Sequence, residues 1–260
     1  SDPGSTSYEK LPRGLRRGIM HIAESLPAHR GVNFFVRKGK DLEERFIGNA
    51  YMFTPKDRKA LLKIHTNAPD PMAITKPYYD QVKDQDDVTK MQYLDLHLWM
   101  AGDILLKADK MSMANSLELR VPFLDKEVMA LAQRIPTRYR VIHKPSESGG
   151  TPYITKYAMR LAAKKDTPPQ TAKTAAKKKL GFPVPIRVWL KEDTYYNMVK
   201  NTFEGNAAQQ FFHTEKLVQL LDDHRAGKAD NSRKIWTVYM FLVWYHVYFE
   251  SDVIPTKPNV

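Results

Sequence analysis

A group of charged and hydroxyl side chains that could do chemistry stands close together in a largely apolar stretch. Its members are Asp103, Lys107, Asp109, Ser112, Glu118, Arg120 and Asp125. Charges on a solvated helix face normally have more polar neighbours, so this group has two interpretations. It forms either a structural network of salt bridges or one wall of a binding site, and the residue pattern alone favours the network.

Individual spacings refine these two interpretations. Asp103 and Lys107 are four residues apart in the acid-first order that suits a helix pair, which contributes about a few tenths of a kcal/mol. Glu118 and Arg120 lie among apolar residues, where partly buried charges have to be paired. Ser112 lies inside a predicted helix with no histidine near it in sequence, so we expect it to bond to its own backbone and not to act as a nucleophile.

Helical periodicity dominates the elements that must position these residues. Thr54 and Pro55 predict a helix start, and Asp125 predicts another. Further helices are predicted over 88–100, 103–116, 125–133, 151–164, 214–225 and 230–250, with a break at Gly102 and a crossing loop over 118–124. Two short segments are typical of strands, 32–36 and 139–142.

Three segments carry further expectations. The helix over 230–250 is hydrophobic on every side, so we expect it at the centre of a bundle. Residues 165–181 are rich in Lys, Thr, Ala and Pro, and we expect an exposed, mobile, basic loop. Residues 1–7 are small and polar, and we expect an expression remnant or a disordered terminus before one mainly α-helical bundle over 8–260.

Composition excludes several classes of function. The chain has 260 residues, 42% of them hydrophobic, and no cysteine, which removes disulfides, Cys-ligated zinc, iron–sulfur clusters and thiol catalysis. The longest nearly apolar stretch, 235–249, is shorter than the roughly 20 residues of a membrane span, so we expect no membrane association. The eight histidines are scattered without the spacing of metal ligands, so we predict no metal site.

Four ordered motifs resemble the synthetase domain of glutamine-dependent (class B) asparagine synthetases. Asp-Ile-Leu-x-Lys-x-Asp-Lys-x-Ser-Met begins at Asp103, and Leu-Glu-x-Arg-x-Pro-Phe-Leu-Asp ends at Asp125. The other two are Lys-Tyr-Ala-Met-Arg from Lys156 and Lys-Lys-Lys-Leu-Gly-Phe-Pro-Val-Pro from Lys177, followed by Ser-Arg-Lys-Ile-Trp near the C-terminus. The resemblance covers 95–250, whereas 8–94 match only in a general helical way.

The resemblance implies a ligase that uses ATP and Mg²⁺ to convert the side-chain carboxylate of aspartate into an adenylate, which ammonia then attacks to give asparagine. It implies that Lys156 is the catalytic lysine. We expect Lys156 early in a helix opened by Thr151 and Pro152, where the helix N-terminus also favours an anion.

The same resemblance implies a cationic loop on the pyrophosphate side of ATP, containing Lys177, Lys179 and Gly181. Lys177 stands where the family has arginine, so the planar fork of a guanidinium is replaced by a point charge. Arg160 follows Lys156 by one helical turn and either assists it or pairs with an acid; we expect the pairing.

Parts of the family pattern are absent from this sequence. The nucleotide loops Ser-Gly-Gly-x-Asp-Ser and Ser-Gly-Glu-Gly-x-Asp-Glu do not occur, and Ser148-Gly149-Gly150 is followed by Thr-Pro, so we reject it as a phosphate loop. The glutaminase domain with its terminal cysteine is also missing. The chain thus resembles the C-terminal helical portion of an adenine nucleotide α-hydrolase-like (α/β) synthetase domain, whose sheet and ATP loop lie upstream.

For the parent enzyme, the resemblance implies a cytoplasmic location and aspartate, ATP and glutamine or ammonia as substrates. Its partners within the parent are the N-terminal glutaminase domain and the upstream half of the synthetase domain. We expect the isolated chain to bind no cofactor and to be inactive, and a homodimer is left open.

Two alternatives remain. A β-lactam synthetase shares the fold and the catalytic lysine, although the run from Pro122 to Asp125 and the pair Gly181-Phe182 favour the asparagine branch. A basic helical module for nucleic acids suits the net charge of +12. The chain has no helix-turn-helix pattern or RNA-binding signature, so we expect no nucleic-acid partner.

Overall fold

A computed structural model describes residues 7–26, 30–49, 51–64, 67–143, 153–177 and 184–251. The chain divides into two compact units. The first contains Ser1–Ala50 and Pro69–Lys179, and the second contains Tyr51–Ala68 and Leu180–Val260. The expectation for residues 1–7 lies almost wholly outside the described part.

The described part is mainly helical, which confirms the predicted fold class. The α-helices are α1 (Arg13–Glu24), α2 (Arg30–Gly39), α3 (Leu42–Arg45), α4 (Pro55–Leu61), α5 (Pro71–Gln81), α6 (Asp87–Leu94), α7 (Leu106–Met113), α8 (Lys126–Arg134), α9 (Thr137–Arg140), α10 (Tyr157–Asp166), α11 (Pro169–Ala176), α12 (Ile186–Trp189), α13 (Asp193–Glu204), α14 (Asn206–Phe211), α15 (Thr214–Arg225) and α16 (Ser232–Tyr245). Short 3₁₀ turns cover Ser7–Lys10 and Pro122–Leu124, and π-helical segments cover Asp95–Leu105 and His246–Glu250. Two strands, β1 (Val141–His143) and β2 (Tyr153–Thr155), pair antiparallel.

Local capping chemistry sets several helix starts where they were predicted. The hydroxyl of Thr54 accepts a hydrogen bond from the backbone N–H of Asp57, and Pro55 occupies the first turn of α4. Asp125 caps α8 by accepting hydrogen bonds from the backbone N–H groups of Glu127 and Val128. These caps satisfy N–H groups that have no partner within the helix, so a short sequence motif is enough to locate them.

The predicted helix break at Gly102 is wrong. The helix continues from α6 through the π-helical segment Asp95–Leu105 into α7. The indole N–H of Trp99 donates to Asp103 over 2.9 Å and thereby spans the glycine. A glycine inside a helix costs only about 1 kcal/mol, which does not stop a helix that has other support.

The predicted strand over 32–36 is also wrong, because these residues belong to α2. In α2, Val32 is buried, and a Cβ on Gly39 would lie only 2.5 Å from Cβ of Met20 in α1. The guanidinium of Arg16 in α1 also donates to the carbonyl of Lys38 over 3.1 Å. Close packing of two helices therefore overrides the strand preference of Val and Phe.

The second unit has its hydrophobic core around α13, α15 and α16. Its fully buried members include Phe203, Leu217, Leu221, Ile235 and Leu242.

The predicted helix over 230–250 is present as α16 and the π-helical segment after it, but the expectation that it is buried on all sides is wrong. Ile235 and Leu242 are buried, whereas the side chains of Trp236 and Trp244 are 41% and 47% exposed. Neighbouring helices of the unit cover only one face of this helix. Among the described residues, no helix has the length and apolar character needed to span a bilayer.

Candidate functional site

Lys156 lies at the corner between a strand and a helix in the first unit. In the two-stranded ribbon formed by β1 and β2, Val141 is paired with Thr155, and α10 begins at Tyr157. The predicted helix over 151–164 is therefore wrong at its start, because the backbone before Lys156 is paired in a β-ladder and cannot be helical. Thr151 and Pro152, which were expected to open that helix, lie outside the described residues.

The backbone of Lys156 is left-handed, with φ 56° and ψ 36°. For a residue with a side chain this conformation costs roughly 1–2 kcal/mol. Among the described residues, Ser116 and Lys156 are the two that adopt a positive φ without being glycine. Such residues occur preferentially at functional sites, where the surrounding structure holds them in place.

Position and charge make this corner suitable for an anion. Lys156 is the N-cap of α10, so its exposed side chain starts beside the first turn, whose N–H groups have no partner within the helix. The positive end of the helix dipole and the ammonium group then act in the same region. Lys156 thus precedes the helix in which it was expected, and its role toward an anion stays a prediction.

Among the described residues, no acid pairs with Arg160, and its guanidinium bonds to backbone carbonyls where an acid was expected. Its Nε donates to the carbonyl of Thr155 over 3.0 Å. Its Nη1 donates to the carbonyls of Ala175 and Lys177, the latter over 3.1 Å. The guanidinium therefore bonds to the backbone directly before Lys156 and to the backbone at the end of α11, which makes a direct role on ATP less suitable for Arg160 than for Lys156.

The basic segment contains a helix where a mobile loop was expected. Residues Pro169–Ala176 form α11, because Pro169 suits the first helical turn and the residues after it include good helix formers. Lys177 caps the C-terminal end of α11 and has an exposed side chain. Lys179 and Gly181 lie outside the described residues.

A surface cavity of about 440 Å³ adjoins the first turn of α10. Its lining is Leu131, Arg134, Ile135, Pro136, Tyr139 and Ala158. Arg134 was not among the predicted site residues. It directly follows the predicted helix over 125–133, and no local pattern distinguishes it from any other exposed arginine. Its lining combines apolar side chains with one exposed cation, Arg134.

The group between Asp103 and Asp125 is exposed and is not a buried salt-bridge network. Asp103 accepts from Trp99 and is not paired with Lys107. Glu118 and Arg120 form an ion pair as expected, but their side chains are 73% and 83% exposed, so the expected partial burial is wrong.

Two members of the group have local roles and the rest lie on the surface. The hydroxyl of Ser112 donates to the carbonyl of Asp109 over 3.1 Å, which confirms the expected backbone bond. Asp125 is the N-cap of α8. Lys107 and Asp109 have exposed side chains.

Large apolar side chains accompany these charges on the surface. Between 36% and 68% of each is exposed: Leu106, Met111, Met113, Leu117, Leu119, Val121, Phe123, Leu124, Val128 and Leu131. We call them the apolar surface 106–131. Such a concentration of exposed apolar residues is unusual for a monomer and typical of a surface that packs against other protein.

The described residues contain no metal site built from protein side chains alone. They contain no cluster of three or more histidine and carboxylate side chains that could hold a metal ion.

Comparison with known proteins gives the family. The asparagine synthase family matches residues 11–246. Asparagine synthetase 1 (glutamine-hydrolyzing) of Bacillus subtilis (strain 168) is 43% identical over 251 residues, which cover 96% of this chain and 38% of that protein. A protein of Mycobacterium tuberculosis (strain H37Rv), provisionally named as a glutamine-hydrolyzing asparagine synthetase, is 37% identical over 255 residues, covering 95% and 36%.

The chain thus spans less than two fifths of the length of the curated relatives that it matches. No solved structure gives a significant match. The family match extends over nearly the whole chain, including the segments that carry Lys156, Arg160 and the group from Asp103 to Asp125. The chain belongs to the asparagine synthase family.

Proposed function

We propose that this chain is the C-terminal helical part of the synthetase domain of a glutamine-hydrolysing asparagine synthetase. The observation that carries the proposal is the corner at Lys156: a motif lysine in a left-handed conformation, at the N-terminus of α10. The relatives are named for asparagine synthesis, and they match nearly the full length of this chain.

In the proposed reaction, a side-chain carboxylate oxygen of aspartate attacks the α-phosphorus of ATP, and the bond to pyrophosphate breaks. Ammonia then attacks the acyl carbon of the adenylate, the bond to AMP breaks, and asparagine forms after loss of a proton. Negative charge grows on the pyrophosphate oxygens in the first step, so a fixed cation at that point lowers the barrier.

We assign this role to Lys156. Its ammonium group and the N–H groups of the first turn of α10 supply positive charge before the reaction begins, which avoids reorganisation during the step. Lys177 is the proposed second cation, and we expect Lys179 and Gly181 to belong to the same cationic segment. No step is assigned to Mg²⁺.

The remaining parts of the machinery belong to other segments of the proposed parent enzyme. The apolar surface 106–131 supports this division, because covering it would remove a large apolar area from water. We propose that the upstream half of the synthetase domain, with the nucleotide loops, packs on this surface. Glutamine hydrolysis in the glutaminase domain would supply the ammonia, in a cytoplasmic enzyme.

The first experiment measures pyrophosphate release with ATP, Mg²⁺, aspartate and ammonia. We expect turnover by the full-length enzyme and none by these 260 residues alone. Clear turnover by the isolated chain would contradict the proposal that other segments of the parent enzyme supply part of the catalytic machinery. A full-length enzyme that releases pyrophosphate only with another β-amino acid carboxylate would instead favour the β-lactam synthetase branch.

The second experiment replaces Lys156 with alanine in the full-length enzyme. We expect the rate of pyrophosphate release to fall by about 100- to 1000-fold, the usual effect of removing one contact to transition-state charge. Lys164→Ala is the matched control, because Lys164 is an exposed lysine in the last turn of the same helix. A Lys156→Ala enzyme with nearly the normal rate would overturn the assignment.

A further inference from the structure

The guanidinium group of Arg160 connects the segment that contains Lys156 with the segment that contains Lys177. Arg160 Nε donates to the carbonyl of Thr155, the residue directly before Lys156, over 3.0 Å. Arg160 Nη1 donates to the carbonyl of Ala175 at the end of α11 and, over 3.1 Å, to that of Lys177. Because the guanidinium is rigid and planar, the carbonyl oxygens of Thr155 and Lys177 lie within roughly 8 Å of each other.

The hydrogen bonds of Arg160 are favourable both at the end of α11 and at Thr155. The last carbonyls of α11 have no partner within the helix, and the negative end of its dipole favours a cation there. On the other side, Thr155 is held in the ladder opposite Val141, so Arg160 bonds to a carbonyl that is already fixed in place.

The left-handed conformation of Lys156 needs this support. A residue with a side chain keeps such a conformation only when the surrounding structure holds it, because relaxation would gain roughly 1–2 kcal/mol. Thr155 is bonded before Lys156, and the backbone N–H of Arg160 donates to the carbonyl of Lys156 over 3.0 Å. Arg160 therefore contacts the corner through both its side chain and its backbone.

We propose that Arg160 is a positioning residue that holds Lys156 and Lys177 in one arrangement, so that both ammonium groups serve the same pyrophosphate. It acts through Lys156, because Nε and Nη1 are bonded to the backbone carbonyls that flank the two lysine segments. This proposal rests on the proposed function of Lys156. Lysine cannot replace Arg160, since a single ammonium point charge cannot donate in the fixed directions that three carbonyls require.

The test is a double-mutant cycle in the full-length enzyme, measured as the kcat of pyrophosphate release. We expect Arg160→Lys to lower kcat roughly 10- to 100-fold through misplacement of Lys156, with the KM for aspartate changed by less than about threefold. In the Lys156→Ala background, we expect Arg160→Lys to change kcat by less than about twofold, because the group that it positions is gone.

Arg37→Lys is the matched control, because Arg37 is an exposed arginine of the same unit on α2. We expect its kcat to equal that of the unchanged enzyme. If Arg160→Lys lowered kcat by the same factor with and without Lys156, Arg160 would act independently and the proposal would be overturned. A loss of thermal stability with unchanged kcat would also overturn it.

Limited trypsin digestion of the full-length protein provides a readout that does not depend on the reaction. The carbonyl of Lys177, an acceptor for Arg160, belongs to a peptide bond that trypsin cleaves. We expect Arg160→Lys to speed cleavage after Lys177 several-fold, measured by mass spectrometry, and Arg37→Lys not to change it. Unchanged cleavage would refute the connection even in an active enzyme, whereas faster cleavage in an enzyme that makes no asparagine would refute only the proposed function.

Discussion

The ammonium nitrogen of Lys234 lies 3.0 Å from Oδ1 of Asp57, and it thereby joins α16 to α4 in the second unit. The other carboxylate oxygen, Oδ2, accepts hydrogen bonds from the backbone N–H and the hydroxyl of Thr54 at 2.9 Å and 2.8 Å. Burial by itself would raise the pKa of Asp57. The hydrogen bonds from Lys234 and Thr54, with the charge of Lys234, outweigh it and hold this pKa below its ordinary value of 3.8.

The lowered pKa of Asp57 predicts acid sensitivity of the second unit. A carboxylate whose pKa is lower in the folded state stabilises the fold above its unfolded pKa, and this contribution is lost as the pH falls through the folded pKa. We expect Asp57→Asn to lower the free energy of unfolding by about 1 kcal/mol at neutral pH, and the difference to shrink toward zero as the pH falls through the lowered pKa of Asp57.

Denaturant unfolding at neutral pH and in strong acid measures this difference. Asp84→Asn is the control, because Asp84 is an exposed carboxylate in the first unit. An equal loss for Asp57→Asn at both pH values would show that the ionised carboxylate is not responsible.

The left-handed backbone of Lys156 predicts opposite effects of glycine at two positions. Glycine adopts this conformation without strain, so we expect Lys156→Gly to be more stable to thermal unfolding than Lys156→Ala by about 1 kcal/mol. In the full-length enzyme, we expect both variants to release pyrophosphate about 100- to 1000-fold more slowly than the unchanged enzyme. At Lys164, within α10, we expect the reverse order by about the same amount. Equal stability of the two Lys156 variants would argue against the left-handed corner.

The N-cap at Asp125 predicts a difference between two substitutions. We expect Asp125→Ala to lower the free energy of unfolding by about 1 kcal/mol, because the N–H groups of Glu127 and Val128 lose their acceptor. Asp125→Asn keeps an acceptor oxygen and is expected to cost only about a few tenths of a kcal/mol. Urea unfolding of both variants provides the comparison, and an equal cost would contradict the capping role.

The apolar surface 106–131 predicts that replacing Phe123 lowers the free energy of unfolding more in the full-length enzyme than in the 260-residue chain. Phe123 is 68% exposed, so in the 260-residue chain we expect Phe123→Gln to change the free energy of unfolding by less than about 0.5 kcal/mol. In the full-length enzyme we expect a loss of about 1–3 kcal/mol, because the ring would be covered.

Phe203→Ala provides the reference for this comparison. Phe203 is fully buried in the second unit, and we expect a loss of about 3–5 kcal/mol in either length of chain. If Phe123→Gln were equally harmless in both, the apolar surface would not be the place where the rest of the protein packs.

Local sequence was sufficient for elements whose stability is local. The caps at Thr54 and Asp125 and the helix Thr214–Arg225 lie where the residues predict them, because a cap or an amphipathic turn depends on neighbours within about four positions. The backbone bond of Ser112 was predictable for the same reason.

Elements that depend on distant partners were not predictable in this way. Residues 32–36 are helical because α2 packs against Met20, and the ribbon before Lys156 exists because residues 153–155 pair with 141–143. An acidic partner was predicted for Arg160, but the structure provides the carbonyl of Thr155 in β2 and two carbonyls at the end of α11, a helix where a loop was predicted.

By itself, then, the sequence determined the helical character of this protein, several of its caps and, through four ordered motifs, its family with Lys156 as the candidate cation. Only the tertiary structure decided that Lys156 lies in a left-handed corner, which face of α16 is buried, and which groups Arg160 contacts. The physical reason is range: propensity and capping act over a few residues, whereas strand pairing, helix packing and a guanidinium bonded to two segments require parts of the chain that only folding brings together.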